Sequence, residues 1–448
     1  MKVHLGGGSF LVGALVAAAA ALAVGFFAVL GVRSGVAGPD PAPPAAPPNP
    51  GHSYSQVELP ASTWSGLDAD LLDGLQASEI MGRLGFSTTV VDDWVPPTSH
   101  SNGAFSMTVG ADGLPLISYC GHNLTVAHCG NAACSAGNTI TIVDSTANVG
   151  QFNSVTVGAD GLPVISYQDA TNLDLKVAHC GNVACSAGNT ITTVDSTANV
   201  DYHTSVTVGV DGLPVISYYA WTGDIFSGNL KVAHCGNAAC SAGNTITTVD
   251  GAVGVGIFSE VTVGADGLPV ISYQDWTNVD VKVAHCGNAA CSAGNTLTTV
   301  DSTDRVGDPS VTVGTDGLPV ISYGDADNRD LKVAHCGNAA CSVGNTLTTV
   351  DSTGDVGDGS SVTVGADGLP VVTYYAWTGD VKVAHCSNAA CTSATIITVD
   401  SITQVGGPTS VTVGVDGLPV IGYYDYTNWD LWVAHCSNRF CVPYHRPR

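Results

Sequence analysis

Seven short cysteine pairs are the first residues in this sequence whose spacing points to chemistry. They are Cys129 with Cys134, Cys180 with Cys185, Cys235 with Cys240, Cys286 with Cys291, Cys336 with Cys341, Cys386 with Cys391 and Cys436 with Cys441, all C-x4-C. A histidine precedes each one: His128, His179, His234, His285, His335, His385 and His435. Metal binding and disulfide formation compete for this pattern. Adjacent residues on a strand point to opposite faces, so His179 and Cys180 do not chelate one ion together. The spacing supplies no fourth ligand, and C-x4-C without a following histidine is not a c-type haem site. Disulfides fit better, each closing a short loop and stabilising it by about 2 kcal/mol, in an oxidising compartment. The histidines are then expected to pack between neighbouring repeats. Cys120 stands outside the pattern.

Three further sets of side chains have chemical potential. Lys176, Lys231, Lys282, Lys332 and Lys382 share one register, and Thr125 and Trp432 take that place in the first and last repeats. They read as a ring of cations around an anion or as partners of nearby aspartates such as Asp169 and Asp275. Pairing is preferred, because lone lysines in acidic surroundings usually serve ion pairing and solubility. Tyr219, Trp221, Trp276, Tyr375, Trp377, Tyr424, Tyr426 and Trp429 lie beside aspartate and asparagine. Such rings stack on the apolar face of a sugar while carboxylates and amides accept its hydroxyls, or they simply cover the ends of the repeats. The stretch Asp325-Ala-Asp-Asn-Arg-Asp330 is a calcium candidate that lacks the glycine and terminal glutamate of an EF-hand loop. No other cofactor is expected.

The elements that must position these side chains are repeated. The phrase SVTVGADGLPVISY (Ser154–Tyr167) recurs seven times, with turn aspartates Asp112, Asp160, Asp211, Asp266, Asp316, Asp367 and Asp416 at steps of 48, 51, 55, 50, 51 and 49 residues. Propeller blades of four strands need about 40–50 residues each. In the second repeat Ser154–Val157, Pro163–Tyr167, Asp174–Cys180 and Thr190–Val194 read as strands, being rich in valine, isoleucine, threonine and tyrosine. Asp-Gly between the first two suits a tight hairpin. The seventh repeat stops after Cys441 without its fourth strand, and Ser87–Asp93, ahead of the first repeat, has that strand's pattern. The predicted fold is all-β: a seven-bladed β-propeller whose N-terminal strand closes the last blade, preceded by one apolar helix, transmembrane or signal. In such a blade the Asp-Gly hairpins and cysteine loops emerge on one face. The aromatic turns between strands two and three emerge on the other, and there the repeats differ most, as a binding surface requires.

The repeats resemble a group of bacterial secreted propeller proteins with DGxPxISYxD…LKVAxC units, distantly similar to sialidase-type BNR propellers. The resemblance spans Phe86 to Cys441 and implies the fold, not an activity. A sialidase implies three arginines for the substrate carboxylate, a tyrosine nucleophile and a glutamate. The repeat region offers Arg305, Arg329 and Arg439, the last on the hairpin face, and one glutamate, Glu260; the S-x-D-x-G-x-x-W box is absent. Another glycosidase needs two carboxylates in different environments, and no repeat stands out as carrying them. An enzyme is not expected.

The formal net charge is −25, with 13 lysines and arginines in all. Nucleic acid, which needs clustered cations, is excluded as a partner. Residues 1–33 carry an uncharged apolar run, Leu5–Val32, long enough to span a bilayer and readable as signal-anchor or signal peptide. Residues 34–60 form a Pro-rich linker. Residues 61–85 hold WSGLDADLLDGLQASEI, which resembles the LDADxLDG element of bacterial surface proteins and phage tail fibres; residues 86–448 form the propeller. The expectation is an extracytoplasmic protein, membrane-anchored or secreted, that binds a carbohydrate or other polar ligand. The alternative is a structural or protein-interaction scaffold at the cell surface.

Overall fold

The computed structural model describes residues 85–93, 105–121, 123–303, 305–401 and 405–443. The apolar N-terminal run, the Pro-rich linker and the LDADLLDG segment lie outside the described residues. Among the described residues no helix is long and apolar enough to cross a membrane. The strands form seven four-stranded antiparallel sheets, six of them in plain sequential order. In the seventh, β1 (Phe86–Asp92) pairs with β28 (Asp430–Cys436), placing Phe86 opposite Cys436 and Thr89 opposite Val433. The protein is an all-β seven-bladed propeller closed by its early strand.

The first strand of each blade is longer than the sequence suggests. In the second blade it runs Val149–Val157, not from Ser154. Its pairing jumps from Gln151 opposite Gln168 to Ser154 opposite Ser166, and Phe152 lies at φ 50°. This is a β-bulge, which breaks the two-residue alternation that a strand is recognised by and re-aims the side chain at the bulge. His203, Phe258 and Asp308 occupy the same position with φ 75°, 51° and 50°.

Neighbouring blades are joined by repeated side-chain bonds that continue across the closure. The buried tyrosine of each second strand donates to the aspartate ending the preceding blade's fourth strand. Examples are Tyr167 to Asp144 at 2.7 Å, Tyr273 to Asp250 at 2.8 Å and Tyr423 to Asp400 at 2.9 Å. At the closure Tyr119 donates to Asp92 at 2.6 Å, so β1 serves as a genuine fourth strand. A second set lies nearer the axis. The Val155 N–H donates to Ser106 Oγ of the previous blade at 3.2 Å, and Met107 N–H donates to Ser410 Oγ at 3.2 Å across the closure. In the fourth blade Glu260 takes the serine's place and accepts from Val311 N–H at 2.8 Å. Hairpin tips add a third contact: a Cβ on Gly113, at φ 83°, would lie 2.7 Å from Val415 Cγ1.

The lysines pair with carboxylates, as preferred above, but with a different primary partner. Lys176 lies 2.6 Å from Asp144 and 4.0 Å from Asp169; Lys282 lies 2.6 Å from Asp250 and 3.9 Å from Asp275. They reinforce the tyrosine clasp across the blade boundary. Trp432 takes the lysine's place in the last blade and stacks on Tyr423, with ring centroids 6.4 Å apart. The histidines also differ from expectation. They clasp within a blade, as in His179 Nε2 at 2.8 Å from the hairpin carboxylate Asp160, and among the described residues His385 alone of the seven is also seen packing between blades, its ring 4.6 Å from that of Phe440 in the seventh. A strand alternation argument cannot see the His179 pair, which joins the end of the third strand to the hairpin turn on the same face.

These clasps make stability sensitive to acid. Burial pushes the Asp144 carboxyl up, but hydrogen bonds from Lys176, Tyr167 and Thr146 more than reverse it and bring it to about 2. The folded value is below the unfolded value of about 3.9, so in acid the unfolded chain binds more protons. The clasp's contribution is full above about pH 4 and is lost as pH falls through about 2. Asp195, Asp250, Asp301 and Asp351 are lowered in the same sense. Urea unfolding midpoints should therefore fall steeply below about pH 4. Asp144→Asn should lower the midpoint at neutral pH and flatten that acid limb.

The cysteines form seven disulfides in the predicted pairs: Cys129 with Cys134, Cys180 with Cys185, Cys235 with Cys240, Cys286 with Cys291, Cys336 with Cys341, Cys386 with Cys391, and Cys436 with Cys441. The backbone around them differs from the sequence reading in two ways. The third strand of the second blade ends at His179, one residue before the cysteine expected to finish it. The second cysteine of each pair is also left-handed, which the spacing does not reveal. Cys134, Cys185, Cys240, Cys291, Cys341, Cys391 and Cys441 all lie at φ 50–53°. So tight a loop must reverse within four residues to bring the two sulfurs together, and the left-handed turn completes that reversal. Asparagine builds the loop. Asn182 Oδ1 accepts from the N–H groups of Ala184 and Ser186, and Asn189 Nδ2 donates to the Cys185 carbonyl. Seven disulfides suit an oxidising, extracytoplasmic compartment. Cys120 is a buried free thiol pushed up to about 12 by burial.

Candidate ligand-binding cleft

The links between blades and the turns between strands two and three hydrogen-bond to one another on the variable face, as in Trp377 N–H to the Asp355 carbonyl at 2.9 Å and Ala326 N–H to the Arg305 carbonyl at 2.7 Å. Between the fifth and sixth blades this face opens into a cleft of about 370 Å³, lined by Asp325, Ala326, Arg329, Asp355, Val356, Asp358 and Trp377. Two glycines border it, one of a kind shared with Gly150 and Gly256 in other blades and one peculiar to this place. Gly357, at φ 101°, lets the link approach the fifth blade, where a Cβ would lie 2.6 Å from the Asp330 carbonyl. Gly324 leaves the cleft unfilled. The equivalent Gln168 and Gln274 send their amides to the backbone carbonyls of Val200 and Val306 in the next blade. At Gly324 no side chain makes that bridge, and the Asp358 carboxylate reaches into the space, 3.3 Å from where a Cβ would stand.

Trp377 is 63% exposed, and its Nε1–H donates to Asp358 at 2.5 Å. That bond holds the ring by its edge. Arg329 pairs with Asp355 at 3.0 Å. Asp325 accepts from Asn328 Nδ2 at 3.0 Å and pairs with Lys332 at 3.2 Å. Burial raises the Asp358 carboxyl, the Trp377 bond opposes that, and the charge of Asp355 adds to it. On the bulge of the preceding blade, burial and the Asp358 charge push Asp308 up to about 7 against a hydrogen bond from Gly359 N–H. Further round the axis His203 packs between Phe152 and Phe258, with centroids 5.2 and 4.9 Å away, and burial holds its imidazole down at about 4.

The structure sorts the aromatic candidates. Trp377 lines the cleft, and Tyr375 lies beside it, centroids 6.0 Å apart. Trp276 is 42% exposed and stacks on Phe226, 5.6 Å away and tilted by 16°. Tyr424, Tyr426 and Trp429 pack on one another in the seventh blade, with Tyr424 buried. Tyr219 is buried and accepts from Gly228 N–H at 2.8 Å, and Trp221 is half-buried. Tyr219 and Tyr424 therefore present no ring to solvent. Sequence reasoning missed Phe226, Arg329 and Asp355 as neighbours of exposed tryptophans. It also missed Asp308 and Asp358, whose V-G-D phrases distinguish the fifth and sixth repeats from the rest. Among the described residues no group of three histidine, cysteine or carboxylate side chains could hold a metal ion.

No protein-family model and no curated protein matches this chain. Solved structures with a similar fold include an α-L-arabinanase from Penicillium chrysogenum complexed with arabinobiose. It is 12% identical, with TM-score 0.46, covering 63% of this chain and 92% of that one. An α-L-arabinofuranosidase from Fusarium graminearum is 10% identical, with TM-score 0.47, covering 63% and 91%. A sialidase from Streptococcus pneumoniae is 8% identical, with TM-score 0.45, covering 83% and 73%. At these identities and scores the likeness says nothing of residues or activity, and the propeller assignment rests on the strand pairing.

Proposed function

We propose that this protein is an extracytoplasmic binding module that takes a carbohydrate on its variable face, in the cleft between the fifth and sixth blades. The observation that carries the reading is Trp377, an exposed indole held by its edge against Asp358 in a cleft edged by carboxylates and a guanidinium. A pyranose stacks on such a ring while its hydroxyls reach Asp358, Asp355 and Arg329. The apolar run Leu5–Val32 serves as the export signal or anchor that sets the module outside the membrane.

A glycan array probed with the oxidised chain tests the reading. Trp377→Ala should weaken binding about tenfold, as loss of a stacking platform does, while Trp276→Ala changes it less than about twofold. Glycan binding indifferent to Trp377→Ala would refute this site. A protein partner is the second reading, favoured by Phe226, Val253 and Trp276, which expose apolar surface on the same face between the third and fourth blades. That reading predicts the reverse order of effects.

A further inference from the structure

We infer that the cleft selects ligands carrying a protonated amine, which within the carbohydrate reading on which this inference rests means an amino sugar. The charges of the cleft lead there one by one. Asp325 shares Lys332 with Asp301, and Asp355 is matched by Arg329. The Asp358 carboxylate receives only a neutral partner, the Trp377 Nε1–H, and among the described residues no lysine or arginine pairs with it. Asp308, on the bulge of the fifth blade's first strand, is a second carboxylate that feels the Asp358 charge, and it too has a neutral partner, the Gly359 N–H. Acids without a cation form an incomplete electrostatic arrangement: burial raises both, with the charge of Asp355 adding at Asp358 and that of Asp358 adding at Asp308.

An ammonium group in the cleft completes it. The cation supplies what both carboxylates lack and forms charge-assisted hydrogen bonds with Asp358. Because Trp377 donates to Asp358 through its ring edge, the face of the indole remains free, and a cation over that face is attracted by its quadrupole. An anionic ligand meets the opposite situation. Arg329 is already occupied by Asp355, and a chain of net charge −25 draws cations toward it and repels anions.

Isothermal titration of the full oxidised chain tests this with three probes: a glucosamine tetramer, its fully N-acetylated counterpart, and phenethylammonium chloride. The glucosamine tetramer should bind at least about tenfold more tightly than the N-acetylated one, the size expected of a charge-assisted contact. Asp358→Asn should reduce that preference below about threefold, while Trp377→Ala weakens both oligomers. Asp308→Asn, which leaves the indole contact intact, should reduce the preference in the same direction and guards against a misfolded Asp358 variant; thermal melts identify such a variant. Equal binding of the two oligomers, unchanged by either asparagine variant, overturns the amine inference. It leaves the carbohydrate reading standing if Trp377→Ala still weakens both. Binding of phenethylammonium through Asp358 with neither oligomer bound supports the amine inference and removes the carbohydrate reading. Absence of binding by all three probes overturns the inference.

Discussion

Reduced and alkylated in mild denaturant, the chain should fail to return to the folded ring, while the oxidised chain refolds. Each disulfide closes a loop with a sequence separation of 5, and the chain-entropy model gives about 2 kcal/mol for such a loop. Seven loops, one in each blade, then constrain the unfolded chain by an amount on the order of 15 kcal/mol, as large as the whole stability of an ordinary domain. The left-handed cysteines offset part of this, because a non-glycine residue in that region costs of order 1 kcal/mol and persists only when its surroundings impose it. The sulfurs are fully buried, as at Cys180 and Cys185. Without denaturant, reductant should therefore act slowly, at a rate set by opening of the blade. Circular dichroism combined with a mass count of alkylated thiols checks both statements. A fully alkylated chain that melts like the native one would remove the disulfides from any structural role.

Replacing Phe86–Asp92 by a glycine–serine segment of equal length should open the ring. The substitution removes Val91 from a core shared with Met107, Tyr119 and Val433, a loss of about 2 kcal/mol for a buried valine. It also removes the Asp92 acceptor of Tyr119, worth about 1.5–3 kcal/mol for a hydrogen bond to a charged group. The edge of Asp430–Cys436 is then left unpaired, which invites pairing between chains. The urea midpoint should fall sharply and sedimentation should show dimers or larger species. An unchanged midpoint with a monomeric chain would mean that β1 contributes nothing to closure.

Much of this fold was legible in the residues because each repeat states the same pattern. Asp-Gly hairpins, Pro-initiated strands and C-x4-C loops fix the blade count, and the missing final strand points to Ser87–Asp93. What escaped reading arises where contacts join distant repeats. Tyr167 and Asp144 belong to neighbouring blades and no alternation rule couples them. In the seventh blade Gly422 stands where the other repeats carry serine or threonine, because a Cβ there would lie 2.6 Å from Phe105 across the closure. The candidate site was half legible. Exposed Trp377 and Trp276 follow from their turns, but Tyr219 and Tyr424 belong to the strands ahead of theirs, Pro214–Trp221 and Pro419–Asp425, and are buried. Asp308 and Asp358 escaped because a bulge, invisible to a two-residue period, sets their direction. Gly324 escaped because its effect is an absent side chain.

Hydrogen exchange of the oxidised chain, with and without a saturating bound oligosaccharide, tests most directly which face binds. Binding on the variable face predicts added protection in the turn Asp325–Arg329, the link Asp355–Asp358 and the turn at Trp377, with the cysteine loops and Asp-Gly hairpins unchanged. Protection confined to those loops and hairpins would contradict it.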